Sequence, residues 1–187
     1  EDPSLLEVIK NTSYDQFYDE HAYVFSVLAI NNLLKETELK IFDIEKLTTH
    51  GGSNRIFIKK IRSNKKVTDN VSKMINEELS VGMDKFETYQ KFAQNVINSK
   101  NETKKIFIEL KKNNAKIIGY GATYKSSTIL NYCGIDTKFI DYFTDTTETK
   151  QGKFTPGTHI PILKPTNGIN SEVNYVFLGA WNFKKEI

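Results

Sequence analysis

The spacing of apolar residues at the start of the chain predicts two helices. Residues 4–10 read Ser-Leu-Leu-Glu-Val-Ile-Lys, with Ser4 as the expected N-cap and Glu7 three residues later, the arrangement of a capping box. Apolar residues at intervals of three and four predict a second helix over residues 26–37. The aromatic-rich residues 14–25 between them are expected to form a loop.

Two apolar stretches after these helices predict an antiparallel hairpin. Residues 39–44 indicate a strand, and residues 55–58 alternate as a returning strand. Residues 48–54 contain two glycines and are expected to form the turn between them.

The middle of the chain predicts a helical connection. Residues 63–70 are polar and resemble a linker, with Asp69 or Asn70 as the expected N-cap of a helix. A further helix is expected to begin near Lys85 and to continue through Leu110, with its aromatic residues in a core.

The rest of the chain alternates between strand and helix patterns. Residues 116–120 predict a buried strand, 121–124 a tight turn and 125–132 a helix. Residues 138–145 and 174–180 predict two more strands. Strand, glycine turn, helix and strand make a βαβ unit, which requires a right-handed crossover and a parallel sheet. The chain as a whole therefore predicts an α/β fold.

Composition narrows the class of function. The chain has 187 residues, and its 26 basic and 23 acidic residues are interleaved, whereas nucleic-acid-binding proteins cluster basic residues on one face. No nucleic-acid partner is therefore expected. No apolar segment is long enough to span a membrane and no signal peptide is visible, so we expect no membrane partner and a cytoplasmic location. The single cysteine, Cys133, excludes an internal disulfide and is expected to be buried.

Histidine supplies the first candidate chemistry. The chain holds three histidines, and two lie in short polar clusters, Tyr18-Asp19-Glu20-His21 and His50-Gly51-Gly52-Ser53. Imidazole exchanges protons near neutral pH, and a phenol beside it can donate to a carbonyl or an oxyanion. These groups suit removal of a proton from a carbon next to a carbonyl. The alternative is a polar helix N-terminus whose acids face the macrodipole. The three histidines are too far apart in sequence to predict a metal site.

A glycine turn supplies the second candidate. Gly119 and Gly121 resemble the start of a dinucleotide-binding fingerprint, which lets backbone approach a phosphate at a helix N-terminus. Tyr124 stands where the third glycine is expected, and Asp145 lies near the position of a ribose-binding acid. The pattern leaves three alternatives: an NAD site, another phosphate-bearing ligand, or a structural turn.

Several short stretches, taken in order and spacing, resemble one protein family across nearly the whole chain. They are Ser13-Tyr14-Asp15-Gln16, Tyr18-Asp19-Glu20-His21, Thr49-His50-Gly51-Gly52-Ser53, Gly119-Tyr120-Gly121-Ala122-Thr123 with Lys125, Asn131-Tyr132-Cys133-Gly134-Ile135, Lys150-Gln151-Gly152, Pro156-Gly157-Thr158-His159-Ile160-Pro161 and Ala180-Trp181-Asn182. The family is that of the S-adenosylmethionine-dependent sugar C-methyltransferases, transferases that act on nucleotide-linked ketosugars in deoxysugar biosynthesis.

The resemblance implies a domain layout. Family members have a small zinc-binding N-terminal domain, a middle methyltransferase domain and a Rossmann-like C-terminal domain. Residues 1–62 would be the end of the class I methyltransferase-type domain, 63–113 a helical connection, and 114–187 a truncated Rossmann-like substrate-binding domain. The S-adenosylmethionine site would lie mostly outside this chain, and the family's zinc in a domain that the chain lacks. A chain of this extent is not expected to methylate alone.

The resemblance also implies roles for individual residues. A base would remove a proton next to the ketone of a nucleotide-linked ketosugar, such as a dTDP-sugar, and the resulting enolate carbon would take the methyl group. His21 would be the base, Tyr18 would hold the sugar oxygen or share the base role, and Glu20 would orient His21. The expected substrate-binding residues are His50, Gly119, Gly121, Ala122, Lys125, Lys150, His159 and Asn182.

Two other classes of function stay open at this point. One is a nucleotide or nucleotide-sugar binding module without catalysis. The other is a fragment of an NAD-dependent enzyme built on residues 119–145.

Overall fold

The computed structural model describes residues 1–187, with the exception of the side chain of Asn167. It divides into two compact units, Glu1–Asn95 and Val96–Ile187.

The first unit is built on an antiparallel hairpin. Strands β2 (Leu39–Leu47) and β3 (Ser53–Lys60) pair from Leu39 opposite Lys60 to Leu47 opposite Ser53. A short strand β1 (Asp2–Pro3), which the sequence pattern did not predict, pairs antiparallel with the start of β3. The predicted hairpin is therefore confirmed, with strands longer than predicted.

Three helices pack against this sheet. They are α1 (Leu5–Asn11), α2 (Val27–Leu34) and α3 (Asp69–Val81). Their apolar faces and the hairpin share one buried core, made of Leu6, Val27, Ile41, Ile44, Val71, Met74 and Met83.

The structure corrects two predictions about helix starts. Ser4 is the N-cap residue of α1, as predicted, but its side chain makes no capping hydrogen bond, so the expected capping box does not form. Helix α3 is preceded by Thr68 as N-cap instead of Asp69 or Asn70. The Thr68 hydroxyl donates instead to Asp43 Oδ1 on β2, at 2.6 Å, and this tertiary contact takes the place of the local cap.

A helix of 27 residues, α4 (Phe86–Lys112), follows. It confirms the predicted continuous helix, but many of its apolar side chains are not buried: Phe86 is 71% exposed and Ile106 is 55% exposed. Phe107 is the α4 side chain that is buried in the core of the second unit.

The second unit contains a parallel sheet. Its strands are β4 (Ile117–Tyr120), β5 (Phe143–Thr144), β6 (Ile162–Leu163) and β7 (Tyr175–Leu178), in the spatial order β6-β5-β4-β7. Each neighbouring pair is parallel. Helix α5 (Tyr124–Cys133) connects β4 to β5, so the predicted βαβ unit is confirmed.

The second unit also corrects two strand predictions. The strand expected over residues 138–145 is only Phe143–Thr144, because Phe139 and Ile140 donate their amides to the carbonyl of Asp136 and form a turn. Strand β6 was not predicted. As expected, Cys133 is fully buried. The α/β class is confirmed, while the assignment of residues 1–62, 63–113 and 114–187 to particular domains stays a prediction.

Candidate functional site

Tyr18 and His21 lie in contact at the start of the first unit. A one-turn 3₁₀ helix over Asp19–His21 places them three residues apart on one side of the turn. The Tyr18 hydroxyl lies 3.3 Å from His21 Nε2, and the ring centroids are 4.3 Å apart. The two groups that the sequence singled out therefore form a hydrogen-bonded pair.

The other ring nitrogen fixes how this pair is protonated. His21 Nδ1 lies 3.1 Å from the carbonyl oxygen of Gln16. A carbonyl can only accept, so Nδ1 must carry the proton, and in the neutral ring Nε2 accepts from the Tyr18 hydroxyl. The imidazole thus presents its basic nitrogen to the phenol.

Glu20 does not occupy the place predicted for it. The partner that orients His21 is the Gln16 carbonyl, and no hydrogen bond joins Glu20 to His21 among the residues that the structure describes. The Glu20 side chain is exposed and lines a pocket of about 420 Å³. The pocket is lined by Glu1, Asp2, Pro3, Glu20, His21, His50 and Ser53.

His50 reaches the same pocket from an unusual turn. Its ring centroid lies 5.6 Å from that of His21, edge to face. His50 has a φ of 56°, which is costly for a residue with a β-carbon. The side-chain amide of Gln16 donates to the His50 carbonyl at 2.5 Å. The turn of residues 49–53 is therefore fastened to the segment that carries Tyr18 and His21.

Sequence reasoning did not single out Gln16 by itself. It is 1% exposed and contacts both histidine clusters, through its main-chain carbonyl and its side chain. Its only sequence signal is its place in the stretch Ser13-Tyr14-Asp15-Gln16, just before Tyr18. An isolated glutamine has no spacing that would reveal such a role.

The glycine turn of the second unit is closed by internal hydrogen bonds. The amides of Gly119 and Gly121 donate to the carbonyls of Tyr142 and Thr144, each at 2.8 Å. The amide of Ala122 donates to Asp145 Oδ2 at 2.8 Å. The prediction that these three amides bind a phosphate is therefore not supported by the hydrogen bonds of the structure.

The two glycines are explained by packing. A β-carbon at Gly119 would overlap the ring of Phe143, and one at Gly121 would lie 2.7 Å from the β-carbon of Ala180. At the start of α5, Thr123 and Ser126 form a reciprocal capping box. The structure thus favours the structural-turn alternative for this segment.

Asp145 serves the fold of the same turn. It is 6% exposed, and besides Ala122 it accepts from the Thr147 amide at 2.8 Å and the Lys150 ammonium at 3.3 Å. Burial raises its pKa, but the hydrogen bonds from Thr147 and the charge of Lys150 outweigh burial, so the pKa of Asp145 is lowered. This buried carboxylate is not placed to receive a ribose, which argues against the NAD alternative.

Lys125 is also placed differently from the prediction. It is 6% exposed, and its ammonium lies 5.5 Å from the centroid of the Trp181 ring, a cation–π distance. It is therefore not an exposed phosphate ligand. Asn182, half-buried, follows β7 in the turn Trp181–Phe183, where the carboxyl end of a parallel strand commonly meets a ligand.

His159 lies in a tightly bonded loop. It is exposed and has a φ of 54°. The loop is held by a hydrogen bond between the Thr155 and Thr158 hydroxyls at 2.7 Å, and by the Asn131 side chain, which donates to the Pro156 carbonyl at 3.0 Å. The structure does not bring His159 to the pocket that this loop borders.

That second pocket lies beside the N-terminus of α5 and has a volume of about 190 Å³. Tyr124 and Phe154 flank it and are 59% and 60% exposed. Lys150 donates to the Ala122 carbonyl at 2.9 Å as well as to Asp145. The pocket is lined by Ala122, Thr123, Tyr124, Ser127, Lys150, Lys153, Phe154, Thr155, Pro156 and Ile162.

The described residues contain neither a candidate metal site nor a candidate membrane span. Across the described part of the chain, no group of three or more histidine, cysteine, aspartate or glutamate residues is arranged to hold a metal ion. None of the helices that the structure describes combines the length and apolar character needed to cross a membrane.

Comparisons with known proteins agree with the resemblance. Residues 48–187 match the family described as C-methyltransferase C-terminal domain. Over 185 residues the chain is 32% identical to the C-methyltransferase NovU of Streptomyces niveus, in an alignment that covers 99% of this chain and 44% of that protein. The chain therefore spans less than half the length of this curated relative.

Proposed function

Because the chain belongs to the C-methyltransferase family, we propose that it is the substrate-activating part of an enzyme that methylates a carbon of a nucleotide-linked ketosugar. The observation that carries the proposal is the Tyr18–His21 pair, with Nδ1 of His21 held by a carbonyl and Nε2 facing a phenol. Removal of a proton next to a ketone is the chemistry that this pair fits.

The base step can be written from these two side chains. His21 accepts the proton, either directly or through Tyr18. In the second route the phenol passes its proton to Nε2 while its oxygen takes the proton from carbon, which leaves an imidazolium and an enolate. The carboxylate of Glu20, in the same pocket, would stabilise the imidazolium by charge without a hydrogen bond. His50, which lines the same pocket, is proposed to contact the sugar.

The pocket beside α5 is proposed to hold the nucleotide diphosphate, such as that of a dTDP-sugar. The exposed rings of Tyr124 and Phe154 offer a stacking surface for a base. An ammonium has three protons, and Lys150 uses two of them within the fold, so one can reach a phosphate. Lys153 adds a second positive charge to the lining. We thus propose that these four side chains bind the nucleotide diphosphate, in place of Lys125 and the glycine amides.

The methyl donor implied by the resemblance is S-adenosylmethionine, which supplies an electrophilic methyl group when bound. The glycine turn does not fit a site for it, because its amides are bound by Tyr142, Thr144 and Asp145, and the acid that could have received a ribose is buried. We therefore propose that the donor site lies mostly outside this chain. The cytoplasmic location and the lack of nucleic-acid partners stay predictions.

Hydrogen–deuterium exchange tests the proposal without the methyl donor. The enzyme that contains this chain is incubated with a dTDP-ketosugar in D₂O, and NMR follows loss of the proton next to the ketone. We expect exchange by the wild-type enzyme and a loss of about 10²-fold or more in the His21→Asn variant, the range for a lost general base. Tyr18→Phe should also slow exchange if the phenol relays the proton.

Tyr23→Phe is a matched control, because Tyr23 lies on the same segment but is 77% exposed. Its exchange rate should equal that of the wild type. Binding of the dTDP-sugar without any exchange would contradict the proposed chemistry and favour the alternative of a nucleotide-sugar binding module.

A further inference from the structure

We propose that Gln16 is the positioning residue of the active site: its main-chain carbonyl fixes the tautomer of His21, and its buried side chain fastens the segment that carries this carbonyl to the turn of His50. The role of this residue for catalysis rests on the proposed function, whereas its effect on the tautomer does not.

Gln16 reaches both segments at once. Its main-chain carbonyl accepts a hydrogen bond from His21 Nδ1, at 3.1 Å. Its side-chain amide donates to the carbonyl of His50, 34 residues further along the chain, at 2.5 Å. The position of the carbonyl that orients His21 is thereby tied to the turn that carries His50.

The hydrogen bond from Gln16 to His50 holds a strained turn in place. His50 holds a left-handed backbone conformation that costs energy, and the bond from Gln16 holds its carbonyl. In the Gln16 side chain only the nitrogen is hydrogen-bonded, because Oε1 is buried and has no hydrogen-bond partner among the described residues. An unpaired buried acceptor carries a stability cost that opposes the gain from the bond to His50.

A substitution of Gln16 can test its positioning role without a large change in stability. Gln16→Met keeps the length of the side chain, removes the bond to His50 and also removes the unpaired oxygen. The loss and the gain are of similar size, so we expect little change in unfolding free energy. If Gln16 positions His21, however, the variant should release the imidazole from its single tautomer.

Nitrogen NMR of the imidazole rings measures this directly in the chain of residues 1–187. The chain has three histidines, so each ring can be assigned from its His→Asn variant. In the wild type above the titration range of the rings, His21 should show the signature of a proton on Nδ1 and a bare Nε2. In Gln16→Met the two nitrogen shifts should move toward those of a mixture of tautomers.

Gln151→Met is the control, because Gln151 Nε2 also donates to a backbone carbonyl, that of Asp145 at 3.0 Å, within the second unit. It should leave the His21 spectrum unchanged. A Gln16→Met protein that keeps the wild-type His21 tautomer would overturn the proposal. Gln16→Glu, which cannot donate to His50 when ionised, gives the same readout if the methionine variant does not fold.

Kinetics then tests the link to catalysis. In the enzyme that contains this chain, Gln16→Met should lower kcat by up to about 10²-fold, the cost of misplacing a reacting group by about 1 Å, with KM for the ketosugar little changed. An altered tautomer with normal kcat would overturn the catalytic role. A wild-type enzyme that gives no deuterium exchange, with the tautomer shift intact, would refute the proposed function and leave the positioning of His21 supported.

Discussion

Two neighbouring glutamates of α3 show how position alone reverses the electrostatic role of one residue type. Glu78 is fully buried and accepts the amides of Val27 and Leu28, at 2.8 and 2.7 Å. It thereby satisfies the first turn of α2. Glu77 points outward to the ammonium groups of Lys10 and Lys46, at 2.8 and 2.6 Å.

The pKa shifts of the two carboxyls have opposite signs. Burial raises the pKa of Glu78 despite the two backbone hydrogen bonds, while the hydrogen bonds from Lys10 and Lys46 lower that of Glu77. A raised pKa means that the folded state binds the proton more tightly than the unfolded chain, and a lowered pKa means the reverse.

The first prediction concerns Glu78→Gln. A glutamine side chain keeps one acceptor oxygen, but its NH₂ group would face one of the two backbone N–H groups that Glu78 binds. The variant should therefore lose about 1–3 kcal/mol of unfolding free energy. Since folded Glu78 favours the proton, this loss should grow as the pH falls from 7 toward about 4.3, the usual pKa of glutamate. Urea unfolding of wild type and variant at several pH values measures the difference.

Glu77→Gln is the matched comparison. Its cost should be about 0–1 kcal/mol near pH 7, as for other exposed ion pairs, and should vanish as the pH falls through the lowered pKa of Glu77. A Glu78→Gln difference that follows the same direction as the Glu77→Gln difference would show that the buried carboxyl is not the proton-binding group.

For single residues, the sequence could predict which side chains carry reactive or charged groups, but it could not predict whether the fold buries them. Tyr18 and His21 are three residues apart, so one turn of helix is enough to bring them together. Lys125 was predicted to bind substrate from the family resemblance, and Asp145 was considered as a ribose-binding acid from its distance to the glycine turn, yet both are buried by the fold. Burial of a charged side chain depends on partners distant in sequence, such as Trp181 and Lys150, which spacing does not reveal.

At the scale of elements, the loop that walls the second pocket depends on one side chain of α5. The Asn131 amide donates to the carbonyls of Ser127 and Pro156, at 2.8 and 3.0 Å. Gly157 follows with a φ of 77°, and a β-carbon there would overlap Asn131 Oδ1. The loop can therefore approach the helix only because residue 157 is glycine.

The second prediction compares two glycines with the same backbone angle. Gly152 also has a φ of 77°, but nothing lies within 4 Å of the place of its β-carbon. Gly152→Ala should cost about 1 kcal/mol of unfolding free energy, the left-handed strain alone. Gly157→Ala should cost about 1–3 kcal/mol more, the usual penalty of an overpacked site. Chemical denaturation of both variants gives the two values.

Crystal structures of the variants provide the control for this prediction. Gly157→Ala should displace the Asn131 side chain from Pro156, and Gly152→Ala should leave that contact intact. Equal costs for the two substitutions would mean that the contact with Asn131 adds nothing to the stability of the loop.

The longer elements are those that the sequence predicted. Apolar spacing predicted the hairpin β2–β3 and the helix α4, and a glycine turn between a strand pattern and a helix pattern predicted the βαβ unit. Strands β1 and β6 have two residues each, too few for any alternation to be detected. They exist because a neighbouring strand offers free backbone groups, which is a tertiary cause.

At the scale of the whole chain, the two candidate chemistries lie in different units. The Tyr18–His21 pair, proposed to remove the proton, belongs to Glu1–Asn95, and the pocket with the exposed rings belongs to Val96–Ile187. The proposed nucleotide site therefore uses only residues of the second unit, whereas the proposed methyl transfer also needs a donor site that we place mostly outside the chain.

The third prediction follows from that division. In calorimetric titrations, the chain of residues 1–187 should bind dTDP and should give no heat with S-adenosylmethionine or NAD. Lys153→Ala should weaken dTDP binding about tenfold, equal to about 1.4 kcal/mol, because this exposed lysine lines the pocket. The effect should shrink at high salt, as expected for an exposed charge meeting a phosphate.

Lys138→Ala is the control, because Lys138 is an exposed lysine of the same unit that does not line the pocket. The Lys138→Ala variant should bind dTDP as tightly as the wild type does. Because both variants lose the same net charge, a difference between them reports the position of the lysine. If Lys138→Ala and Lys153→Ala weaken binding equally, the nucleotide responds to overall charge and has no site beside α5. If NAD binds and dTDP does not, the buried Asp145 must open to receive a ribose, and the proposed substrate class is wrong.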